Sequence, residues 1–203
     1  MRISKPPEER KAELLAAART LFDKNGVSKT RVSDIVQSVG VSQGIFYYYF
    51  NSKQEIVHAV VEQVVAELRQ QLDEIFSSQN SFYQKIAGFI SLYINVIDQF
   101  TGDDEPNIPP RDDELIYERL MLDEGRGLLQ KAMKRLVQQG LQENMITIEY
   151  PYETVLVIMY GLRSYAMQRL PSRRMVFTIV EQSLQLPPGT LVRYSGKGPK
   201  KRA

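Results

Sequence analysis

Along most of the chain, apolar residues recur at intervals of three and four, the period of an amphipathic helix. The first run covers 8–24, with Leu14, Leu15, Ala18, Leu21 and Phe22 on one face and Asn25-Gly26 as its stop. Val32, Ile35, Val36 and Val39 predict a short helix over 31–38, capped by Thr30. Gly40 follows it, where a left-handed turn suits a residue without Cβ. Ser42 caps a third helix over 42–49, and Asn51 or Ser52 caps a fourth running from Ser52 to about Phe76. The apolar positions of that fourth helix change flank along its length, as in a connector packed first on one core and then on another.

A fifth helix, dense in bulky side chains, is predicted over 81–100, and the acidic, proline-rich stretch 101–111 is a loop. Helices resume over 112–122 and 124–143. The alternating segment 144–150 is assigned to a loop, because a lone strand in a helical protein lacks a partner. Pro151 opens a strongly apolar helix to about Leu170, and Ser172 caps a last one ending near Leu186. The pattern is all-α with about nine helices: a three-helix head (1–51), a helical body (52–186) and a mobile basic tail (187–203).

Composition changes this picture in two respects. The chain has no cysteine, which excludes disulfides and thiolate metal sites, and its charged N-terminus has no apolar core of a signal peptide. No stretch approaches the length of a membrane span, so a cytoplasmic protein is expected. The net charge of +2 conceals an asymmetry: +3 over residues 1–55 (9 Lys/Arg, 6 Asp/Glu), −6 over 56–192 (12 and 18) and +5 over 193–203 (5 and none). A polyanion partner therefore belongs at the head, where the tail can assist.

A helix of two turns is not stable alone, so the third is displayed from a scaffold as the reading element of a helix-turn-helix. Its aromatic run, IFYYYF, cannot all be core, because successive side chains step by about 100°. Phe46 and Phe50 share the inward face, and Tyr47, Tyr48 and Tyr49 point elsewhere. Ser42, Gln43 and Gly44, at the leading end, fall nearest the bases; the Gln43 amide matches the edge of adenine, and Gly44 either admits close backbone approach or eases helix packing. Lys53 opens the fourth helix, where free amides already favour a phosphate, and Thr30 with Arg31 offers the same at the second.

The run GVSQGIFYYYFNSKQEIVHAV resembles the signature of the TetR family of bacterial transcriptional regulators, matching it at Gly40, Val41, Ser42, Gly44, Phe46, Tyr47, Phe50, Ser52 and Lys53. The upstream frame LLAAARTLFDKNGVSKTRVSDI is also similar to the family's. The resemblance covers roughly the first quarter of the chain. It implies that Tyr47 and Tyr48 contact phosphate and sugar, that the protein binds a palindromic operator as a homodimer, and that its body holds a small-molecule pocket. A ligand-responsive repressor is the expectation. An architectural or protein-recruiting DNA-binding protein of the same fold, without ligand, is the alternative.

The dimer face is assigned to the last two helices, through Val155, Ile158, Met159, Leu162, Tyr165, Val176, Ile179, Val180 and Leu184, with intramolecular core as the alternative. The pocket lining is assigned to Phe89, Tyr93, Tyr117, Met121, Met133, Tyr160 and Met167, with plain core as the alternative, and Arg163 either clamps an anionic group or pairs with a carboxylate across the dimer. No phosphate loop, dinucleotide fingerprint or metal-spaced cluster is present, and the single histidine, His58, has no catalytic setting. No enzyme activity, cofactor or metal is expected.

Overall fold

In the computed structural model the described residues are 6–77, 79–100, 112–166, 168–169 and 171–194, with side chains at 98–100 and 112–124 outside the description. They form eight α-helices: α1 Pro7–Asn25, α2 Val32–Val39, α3 Gln43–Tyr49, α4 Lys53–Ser77, α5 Phe82–Phe100, α6 Asp112–Gln142, α7 Pro151–Ala166 and α8 Arg173–Ser183, with a 3-10 turn at Val192–Tyr194. Among the described residues no strand occurs, and 144–150 is a loop. The two helices expected over 112–122 and 124–143 are one continuous helix, α6. Gly125 and Gly127 weaken it without breaking it, because good helix formers flank them and no proline intervenes.

The chain divides into two compact units. One runs to Leu68 and takes in α6 as far as Arg126; the other takes the chain from Arg69 and from Gly127. The division thus falls inside α4, not near residue 51 at its start. Hydrophobic packing explains the difference. Leu14, Ala18 and Phe22 of α1, Ile35 and Val36 of α2, and Phe46 and Phe50 of α3 enclose a core that Ile56, Val57 and Val60 of α4 complete. Without those α4 residues the three short helices would leave one side of the core in water.

Gly40 has φ 73° and ψ 36°, and its N–H is satisfied by the carbonyls of Val36 and Gln37. A Cβ there would touch nothing, so glycine serves the left-handed backbone alone. Thr30 does not cap α2. It is 1% exposed, and its hydroxyl donates to the carbonyls of Gly26 (2.9 Å) and Leu21 (3.3 Å), tying the end of α1 to the turn. Arg31 is the N-cap residue instead, its N–H donating to Asp34 at 2.8 Å. At α4, Ser52 accepts from the Glu55 N–H, and Glu55 in turn accepts from the Asn51 N–H. Arg19 of α1 pairs with Glu67 of α4 at 2.6 Å. Beside them, burial raises the Asp23 carboxyl above its ordinary value, and Glu67 adds to that while Arg19 opposes it.

In the second unit, α5, the C-terminal part of α6, α7 and α8 bury Phe82, Ile86, Phe89, Ile90, Tyr93, Met133, Leu136, Met159, Leu162, Val176, Phe177 and Val180. Gly140 is required by proximity: a Cβ would lie 2.6 Å from Ile146 and 2.8 Å from Phe82. The segment expected to be a mobile tail from residue 187 is anchored at its start. Glu181, 4% exposed, accepts N–H bonds from Gly189, Leu191 and Val192, and the Leu191 side chain is fully buried. A buried carboxylate needs such donors, and the adjoining backbone supplies three. Residues 195–203 lie outside the described residues.

Candidate nucleic-acid interface

The tight turn at Gly40 delivers the chain into α3 with Val41 N–H bonded to the Val36 carbonyl. Phe46 (0% exposed) and Phe50 (2%) pin α3 to the core, and Lys11 of α1 lies over the Phe50 ring. The opposite side of this two-turn helix is left outward. Ser42, Gln43 and Gly44 at its leading end are exposed, as are Tyr47 (54%) and Tyr48 (75%). Ser42 is the N-cap residue by backbone geometry, yet its hydroxyl makes no capping bond. A Cβ on Gly44 would meet only Ser42 Oγ, at 3.7 Å, so packing within the chain does not demand glycine there.

Each exposed tyrosine has one aromatic neighbour. Tyr47 stands edge-on to Phe46 at 5.3 Å, and Tyr48 edge-on to Tyr49 at 4.9 Å. Tyr49 is half-buried against the head's core, so its ring braces its neighbour. Arg31 is exposed at the start of α2 and Lys53 half-buried at the start of α4. Thr30 leaves this group, since its hydroxyl is buried and already bonded. Sequence reasoning missed Ile45, which is 39% exposed beside the tyrosines. Its signal was available, since the helical period puts it off the Phe46–Phe50 face.

The body residues separate differently from expectation. Phe89, Tyr93 and Met133 are buried together with the core, the Phe89 and Tyr93 rings stacked 6.4 Å apart. The Tyr93 hydroxyl is committed, donating to the Met159 carbonyl at 2.7 Å. Tyr160 is 49% exposed and does not join them, because it lies on the outer side of α7; Arg163 is half-buried. Side chains of Tyr117, Met121 and Met167 lie outside the described residues. An open cleft of about 340 Å³, edged by Gln79, Phe82, Lys85, Gln139, Glu143 and Met145, includes none of the expected lining.

Of the expected dimer residues, Val176 and Leu184 (0% exposed), Val180, Leu162 and Met159 are intramolecular core. They face α5 and the rest of the body, since a helix buries the stripe that its own unit can cover. Val155, Ile158 and Ile179 are half-buried, and Tyr165 is exposed. The apolar surface α7 leaves uncovered is Val157 (71% exposed), Tyr160 and Tyr165, with Gly161 exposed among them.

A three-helix head presenting a braced, tyrosine-bearing helix by its leading end defines a helix-turn-helix DNA-binding protein. Residues 14–60 match the sequence model of the bacterial regulatory proteins of the tetR family. An uncharacterised helix-turn-helix transcriptional regulator of Bacillus subtilis is 26% identical over 155 residues, 73% of each chain. A helix-turn-helix transcriptional repressor of Mycolicibacterium smegmatis is 30% identical over 92 residues, 45% of each. Among solved structures, a gamma-butyrolactone receptor superposes with a TM-score of 0.64 at 17% identity, covering 94% of this chain and 95% of that one. The chain is thus similar to the TetR family of transcriptional regulators, by that sequence model over residues 14–60 and by its fold over most of its length.

Proposed function

We propose that the protein is a cytoplasmic, homodimeric repressor that binds a palindromic operator and releases it on binding a small apolar or amphipathic effector. In this reading Ser42, Gln43 and Gly44 approach base edges. Tyr47, Tyr48, Arg31 and Lys53 hold phosphates, and Ile45 adds apolar contact. The observation that carries it is the uncovered apolar surface of α7, Val157, Tyr160 and Tyr165 around Gly161. A second copy would cover it, and Gly161, where a Cβ would touch nothing in the chain, leaves room for a close helix crossing. One α3 reads only a few base pairs, so a twofold pair with recognition helices about 34–36 Å apart or more supplies the remaining specificity.

The mycobacterial relative's description as a repressor supports repression, and the description of the structural neighbour as a gamma-butyrolactone receptor supports a small-molecule effector. The test is selection of binding sites from random duplex DNA, with the oligomeric state measured by sedimentation. The expected result is a dimer and an inverted repeat. A monomer with no preference over bulk competitor DNA overturns the proposal.

A further inference from the structure

Two polar side chains of α8 turn toward the body, Glu181 buried and Arg173 half-buried, and only Glu181 is fully satisfied. Glu181 is held by three backbone amides. Arg173, eight residues earlier on the same face, donates through Nη2 to Asn95 Oδ1 of α5 at 2.7 Å. Its Nη1 is buried and has no hydrogen-bond partner among the described residues. Glu181 cannot serve, being roughly 12 Å along the helix axis and already committed.

The surroundings sharpen the chemistry that is wanting. Ser91, one turn before Asn95 on α5, is a second buried polar side chain, at 3% exposure. Ile90, Ile94 and Ile97 of α5 and Phe177 of α8 are buried around this pair of helices. A guanidinium nitrogen buried without an acceptor is unfavourable, and its place at the positive end of α8 makes it more so. An acceptor carrying negative charge offsets both. The Arg fork fits a carboxylate, and the Asn95 side-chain amide can donate to the same group. Apolar neighbours suit an apolar remainder.

We propose that Arg173, with Asn95, holds the carboxylate of a small apolar monoanion between α5 and α8. This rests on reading the body as an effector receptor. It places the cation for an anionic group at Arg173, where sequence reasoning chose Arg163.

The test is thermal unfolding of the full chain with octanoate, octanamide, benzoate, benzamide or sulfate, for wild type, Arg173→Met and Arg173→Lys. At least one carboxylate is expected to raise the wild-type melting temperature while its matched amide does not. Arg173→Met should weaken that binding about tenfold to a hundredfold, and Arg173→Lys should retain part of it. Without ligand, Arg173→Met should melt higher than wild type, because it keeps the apolar stem and removes the half-satisfied cation.

Several results overturn the proposal. One is equal binding of acids and amides; another is sulfate matching the carboxylates; a third is no shift with any probe. A lower melting temperature for unliganded Arg173→Met would mean that a carboxylate of the chain completes Arg173. Dissociation of a wild-type dimer by that substitution would mean that the partner does. Operator binding separates this inference from the receptor reading. Carboxylate binding through Arg173 that leaves operator affinity unchanged keeps the site and removes the effector role. Release of the operator by an uncharged compound alone does the reverse.

Discussion

Val157 offers a sharp test of the proposed dimer face. It is 71% exposed on α7, so truncation to alanine removes little that the folded monomer uses. Two methyl groups are lost, each worth about 0.8 kcal/mol when fully buried. Scaled by the fraction left uncovered in the monomer, that is about 1 kcal/mol per copy. A twofold interface contains the residue twice, so the dimer weakens by about 2 kcal/mol, roughly thirtyfold in its dissociation constant. The assay is sedimentation equilibrium over a concentration series, with unfolding of the monomer followed in parallel. Monomer stability should move by no more than about 0.5 kcal/mol. Val176→Ala is the contrast: that side chain is fully buried, so the substitution should destabilise the fold. An unchanged dimer in Val157→Ala, or dissociation by Val176→Ala without loss of stability, would refute the reasoning.

Gln43→Ala should cost about 1–3 kcal/mol on the best operator and relax preference at one base, whereas Lys53→Ala should weaken all duplexes alike and lower the salt slope by about one; titrations on specific and random DNA separate the two. Thr30→Val should cost about 1–2 kcal/mol of head stability through the lost hydroxyl donor, with the salt dependence of DNA binding unchanged. Glu181→Gln should cost about 1.5–3 kcal/mol, seen as faster amide exchange at Leu191 and Val192, because a carboxamide presents a donor where an acceptor is needed. Asp23 carries a pKa raised above 3.8, so its ionisation opposes folding: its contribution is fully favourable below 3.8 and is lost as pH rises through the folded value. Asp23→Asn should therefore unfold at higher temperature than wild type at neutral pH, and the gain should vanish in acid.

Local signals carried the head almost whole. The spacing of Val32, Ile35 and Val36, the glycine at 40 and the pairing of Phe46 with Phe50 are consequences of helical period and backbone freedom, which neighbouring residues set. Thr30 escaped this logic. A threonine before a helix reads as a cap, but the carbonyl of Leu21, nine residues back, competes for its hydroxyl only once α1 has packed. Glu181 escaped it in the same way, since its donors become neighbours only after the chain turns at Gly189.

The sequence by itself determined the class of fold, the outward tyrosines of α3 and the resemblance to a family of regulators. Periodicity, turn chemistry and a short motif are written in consecutive residues. Tertiary structure alone decided which apolar stripes of α7 and α8 the body consumes and which it leaves bare, and that Arg173, not Arg163, is the cation with a buried nitrogen lacking an acceptor among the described residues. A helix carries the same apolar positions whether its own unit or a second molecule covers them. The choice belongs to the packing of distant segments, which no local pattern encodes.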